Sequence, residues 1–128
     1  MNRLRAQDDG SATVELALVL PVALFAALAL LQVGLLAKDS LAVANAAREG
    51  AREAAVTRDE RGVREAALRS GNLSQESTVI AVERAGGVGT PVTVTVRYRS
   101  PVVVPFVEWL FPEQVALQSS ATMRQETA

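Results

Sequence analysis

The feature that most constrains this chain is the run LALVLPVALFAALALLQVGLLA, 22 residues from Leu16 to Ala37 without a charge, in which Gln32 is the only strongly polar side chain. As an α-helix rising about 1.5 Å per residue it reaches roughly 33 Å, enough to cross a hydrocarbon core of about 30 Å. The run reads as a membrane span. Pro21 removes one backbone hydrogen bond near its start, a defect that spanning helices tolerate. A cleavable secretory signal is the competing reading, with Arg3 and Arg5 as a basic start and Ala27-Leu28-Ala29 as an A-x-A site. The apolar run continues for eight residues beyond Ala29, however, whereas the apolar core of such a signal is about 7–15 residues long. An uncleaved span is expected. Arg3, Arg5 and the initiator amine precede it, while Lys38 and Asp39 nearly cancel just after it, which places the N-terminus inside the cytoplasmic membrane and the C-terminal part outside.

Composition removes several functional classes. Among 128 residues there is no cysteine and no histidine, so disulfides, Cys/His metal sites, thiol catalysis and imidazole chemistry are excluded by inventory. With a formal net charge of -1 and no basic stripe, the chain lacks the electrostatic footprint of a nucleic-acid binder. No cofactor and no metal is expected. Glu83, Glu108 and Glu113 lie beside strand or loop signals without a nucleophile or base partner and read as solvated side chains, so no enzymatic activity is expected.

Beyond the span, DSLAVANAAREGAREAAV continues helical, because alanine and leucine dominate and no proline intervenes. Its small residues recur at Ala37, Leu41, Ala44, Ala47, Ala51 and Ala54 or Ala55, while Lys38, Asp39, Asn45, Arg48, Glu49, Arg52 and Glu53 point elsewhere. This smooth stripe packs either on the chain's own sheet or on another subunit. Unbroken from Ser11 to Val56, the helix measures roughly 69 Å, so about half of it projects from the membrane. A second helix is predicted over Asp59 to Arg69, with Val63, Ala66 and Ala67 on one side and Ser70-Gly71-Asn72 as its stop.

The period then changes from helix to strand. Thr78 to Arg84 reads as one strand and Gly86-Gly87-Val88-Gly89 as a turn. Val92 to Tyr98 alternates strictly, with Val92, Val94, Val96 and Tyr98 on one face and Thr93, Thr95 and Arg97 on the other. Val115, Leu117, Ser119, Ala121 and Met123 alternate as a third strand. Between them, VVVPFVEWLFP is too short and too proline-broken to span a membrane. Its Trp109, with Phe106, Leu110 and Phe111, is expected to form a small core lid in preference to an exposed docking patch. The predicted fold is α+β: a leader over 1–10, a long helix over 11–56 that spans the membrane at 16–37, and a small antiparallel domain over 57–128. Residues from Thr57 onward are few for an independent core, so the sheet is expected to pack on the outer half of the helix, on a partner, or on both.

The segment Gly10-Ser11-Ala12-Thr13-Val14-Glu15-Leu16 sets a carboxylate at the mouth of the apolar run. A charge at a membrane centre costs about 2.5–3.5 kcal/mol, and less near the interface, so such a group tends to have a partner or a role. Alone, Glu15 could simply mark the interface and complement the helix dipole. GSATVELALVLP followed by NAAREGAREAA, however, resembles the TadE-like family of pilus-assembly proteins, and the tail ending in SSATMRQE resembles it more weakly. That family belongs to the tight-adherence (Flp, type IVb pilus) machinery and is regarded as minor pseudopilins. The resemblance implies cleavage after Gly10 by a membrane prepilin peptidase, Ser11 as the new N-terminus, and Glu15 as an assembly residue at the fifth mature position. Its implied partners are the bilayer, the prepilin peptidase, other pilins or pseudopilins and the assembly platform. Gly34, Ala44, Ala47, Gly50 and Ala51 are small enough to let helices approach closely. A membrane-tethered envelope binding protein that keeps residues 1–10 is the alternative.

Overall fold

The computed structural model describes residues 2–126, with side chains from residue 10. Helix α1 runs over Asn2–Val56, followed by α2 over Glu60–Gly71 and a short 3-10 turn at Gln75–Ser77. Strands β1 (Thr78–Arg84), β2 (Pro91–Pro101) and β3 (Gln114–Arg124) then form an antiparallel sheet in the order β1-β2-β3. The long apolar helix, the short helix and the three-stranded sheet are those the sequence predicts. The helix expected from Ser11 begins earlier, at Asn2, and passes through Pro21 without a break. The second helix starts one residue later than predicted because Asp59 is its N-cap. The Asp59 carboxylate accepts from the Arg61 and Gly62 N–H groups at 3.1 and 3.2 Å. Asn72, in the left-handed region at φ 49°, ends the helix.

Strand β2 is central, and its alternation decides how the layers meet. Val92, Val94 and Val96 are fully buried, whereas Thr93, Thr95 and Arg97 stay on the open face. There Thr93 pairs with Thr122 and Thr95 with Ser120, each at 2.8 Å, and Arg97 donates to Gln118 at 3.0 Å. The buried valines lie on the outer half of α1, where Val43, Ala46, Ala47, Ala51 and Ala54 join Val63 and Ala67 of α2 in one core. The buried stripe is turned relative to the one counted from the sequence. Leu41, placed on it by spacing, is exposed, and Val43 and Ala46 take the inner face instead. Steps of three and four counted from Ala37 leave the angular origin free, and only the seated sheet fixes it.

Gly50 lies at the closest approach of the layers. A Cβ there would stand 3.0 Å from Val94 Cγ1 and 3.2 Å from Ala67 Cβ. Gly71 is tighter against backbone, since a Cβ would meet the Ala42 carbonyl oxygen at 2.9 Å.

The C-terminal end of α1 has no basic residue of its own in the last turn. Its open carbonyls are closed from the sheet: Arg84 of β1 donates to Ala54 O at 2.7 Å and to Thr57 O at 2.9 Å. The Glu126 N–H, just past β3, donates to Ala55 O at 2.8 Å. Replacing Arg84 by Met should therefore cost about 1.5–3 kcal/mol, the range for hydrogen bonds to charged groups. Arg84→Lys should recover only part of it, because one ammonium lacks the fork that reaches two carbonyls. Thermal unfolding of the detergent-solubilised chain reads the difference, and a midpoint unchanged in Arg84→Met would show that Glu126 suffices.

Candidate functional site

The descending chain of β2 follows α1 toward its N-terminus. Val94 lies against Gly50, and further down Ser100 donates to Asp39 at 2.5 Å. Asp39 is the first acidic residue beyond the apolar run, and Ser100 is buried beside it. Tyr98, two residues earlier, has its phenol pushed above the ordinary range by partial burial and by the negative charge of Asp39.

After Pro101 the chain does not turn away from the helix. It continues down alongside the apolar run as a loop that closes where Val102 N–H meets Glu113 O at 3.1 Å. Gln32 holds this loop: its Oε1 accepts from Val103 N–H at 3.2 Å and Val104 N–H at 3.1 Å. The side chain is fully buried, and its Nε2 has no partner. Sequence reasoning saw Gln32 only as a polar interruption of the span, because its partners lie some 71 residues away and nothing local announces them. Lower still, Trp109 stacks on Phe25 with ring centroids 5.6 Å apart and planes inclined by 20°.

The expectation that Trp109 and its neighbours form a core lid is overturned. Val104 and Val107 turn inward, whereas Phe106 and Trp109 are each 76% exposed and Leu110 is also exposed. Phe106 adopts a left-handed backbone at φ 68°, and Leu110 N–H bonds back to Val107 O at 2.9 Å. Pro105 and Pro112 forbid the regular strand or helix that would bury every second or fourth side chain. The loop therefore buries Val104 and Val107 and leaves its aromatic tip outside.

The remaining sequence candidates occupy two different settings. Gly10, Ser11 and Glu15 are exposed on α1, with Ser11 and Glu15 four residues apart and so on one side of the helix. Gly34 is exposed too, with open space where a side chain would begin. Ala47, Gly50 and Ala51 are instead buried in the core formed with the sheet and α2, and Ala44 lies at its margin. Glu83 is exposed on β1. Glu108 and Glu113 share the rim of a shallow depression with Val102, Trp109 and Pro112. No group of three or more acidic side chains that could hold a metal occurs among the described residues.

Residues 10–52 match the family model described as TadE-like protein, a match that begins at Gly10 and ends within the buried part of α1. No curated protein and no solved structure matches the chain.

The contact between Gln32 and the loop is open to test. In Gln32→Leu the Val103 and Val104 N–H groups lose their acceptor, at about 1–3 kcal/mol, or roughly 5- to 150-fold in the local opening equilibrium. Hydrogen exchange of the peptide covering residues 101–113 should quicken by that factor while α2 and β1 remain protected. Unchanged exchange would remove Gln32 as the anchor.

Proposed function

Since the chain is TadE-like over residues 10–52, we propose that it is a minor pseudopilin or assembly subunit of a type IVb (Flp/Tad) pilus, supporting adhesion. In this reading it crosses the cytoplasmic membrane once through residues 16–37, N-terminus inside, and carries its small sheet outside. It acts through contacts and not as a catalyst. The observation that carries the reading is the division of α1. Its inner, apolar half is long enough to cross a membrane and has none of its most apolar stretch buried by the rest of the chain, while its outer half is packed into a domain. Such a helix needs a bilayer or neighbouring helices to cover it, and a pilus subunit passes from the one to the other.

The N-terminal residues give that passage a chemistry. Cleavage after Gly10 by a prepilin peptidase frees an α-amine at Ser11, whose ordinary pKa is about 7.7–8.0. That ammonium and the Glu15 carboxylate of a neighbouring subunit can satisfy one another in surroundings that penalise either alone. Gly10 lies inside the helix that begins at Asn2, so the peptidase must first open a turn there. Glycine eases this, because its helix propensity is about 1 kcal/mol below that of alanine. Gly34, open on its surface, leaves room for a second helix to approach.

Mass spectrometry of the N-terminus of protein from its native membrane tests the reading directly: a mature chain starting at Ser11 is expected, and Gly10→Leu should leave the full precursor in the membrane. A native chain that retains residues 1–10 would favour a tethered envelope protein that never joins a filament.

Glu15→Gln should leave processing and insertion intact, since an amide is cheaper than a carboxylate near hydrocarbon, but weaken assembly. A loss of even one or two kcal/mol per contact reduces association roughly 5- to 30-fold. Co-purification with other pilus subunits at matched membrane abundance measures it, and wild-type recovery would reduce Glu15 to an interface marker.

A further inference from the structure

We propose that the loop from Val102 to Pro112 is a wedge that enters the bilayer beside α1 as far as the middle of the apolar run and carries the polar boundary down with it, its apolar tip in contact with lipid. The proposal rests on the membrane-anchor reading of α1 and adds a second point of lipid contact to it. Its starting point is the level at which the loop lies. Trp109 stacks on Phe25, and Gln32 holds Val103 and Val104. Both helix residues belong to the uncharged run from Leu16 to Ala37, and Phe25 is 13 residues, or roughly 20 Å, below Lys38. When this run crosses a bilayer, a loop fixed at that level meets lipid.

The surface of the loop suits that setting. Phe106, Trp109 and Leu110 are exposed, and at the same level of the helix Leu24, Leu30 and Leu31 are exposed as well. The tip thus extends the surface that the helix already turns to hydrocarbon, and one apolar medium covers both. Backbone polar groups are costly at such a depth unless bonded. Pro105 and Pro112 have no N–H to satisfy, and the N–H groups of Val102, Val103, Val104 and Leu110 are bonded within the protein, whereas those of Phe106, Glu108 and Trp109 are not and require a polar boundary at the level of the tip.

Glu108 and Glu113 place the same requirement on the level of the loop. Both are exposed, and a carboxylate is expensive in hydrocarbon but tolerable at the headgroup boundary, where tryptophan also concentrates. The loop therefore displaces outer-leaflet lipid from one face of α1 and draws the polar boundary down along that face. The opposite face of the same helix stays in acyl chains.

Trp109 is the only tryptophan in the chain, so it reports on its own position without substitution. The full chain is reconstituted into phosphatidylcholine–phosphatidylglycerol vesicles containing lipids brominated either near the headgroup or near the chain end. Flotation of the vesicles with the protein first verifies the anchor. The expected result is a blue-shifted emission quenched at least twofold more by the shallow bromines than by the deep ones, with little quenching by aqueous acrylamide. Strong acrylamide quenching with none from either lipid would overturn the wedge while leaving the anchor standing. Protection from both quenchers would also overturn it, by placing a second protein copy on the tip. Failure of the chain to float with the vesicles would remove the anchor and the wedge together.

Discussion

The approach of Val94 to Gly50 fixes the separation of sheet and helix, and most of the outer domain follows from it. A helix faced with leucine or phenylalanine would hold a sheet farther off and need large partners to fill the gap. Here the helix offers Ala46, Ala47, Gly50, Ala51 and Ala54, and the sheet answers with Val92, Val94 and Val96. Small faces small, so backbone approaches backbone. A thin core of this kind buries little area per residue, and the directed hydrogen bonds at its edges carry correspondingly more of the specificity. Arg84 and the Glu126 N–H at the end of α1, and Ser100 at Asp39, pin the domain at both ends of that core.

The same helix carries two kinds of surface, and the sequence states the division plainly. From Leu16 to Ala37 every direction is apolar except at Gln32, as befits a helix surrounded by lipid or other helices. Past Lys38 charged residues occupy the outer directions and alanines the inner ones, as befits a helix with water on one side and a sheet on the other. The TadE-like match covers both regimes and ends within the part of the helix that is packed into the core.

What could be read from the sequence divides along the same physical line. Local period determines element type, so the strict alternation of Val92, Val94 and Val96 located β2, and the uncharged run located the apolar half of α1. The angular setting of the stripe was not readable, because Leu41 and Val43 are equally compatible with a helix and only the seated sheet chooses between them. The loop was misjudged for a similar reason. Its aromatic content suggested burial, but whether Trp109 is buried depends on where Pro101 releases the chain and on an acceptor at Gln32 far away in sequence. Of the N-terminal residues, the spacing of Gly10, Ser11 and Glu15 was legible, whereas the continuation of the helix back to Asn2 was not.

The antiparallel course of β2 along α1 also decides how the protein bears force. Val94 at Gly50, Ser100 at Asp39, Val103 at Gln32 and Trp109 at Phe25 touch the helix at successive levels. A pull along the helix axis therefore loads these contacts together in shear. Peeling, which would break them one at a time, requires a sideways pull at the aromatic tip. The domain is consequently stiff along the one axis and yielding across it, with the softest point at the loop farthest from the core.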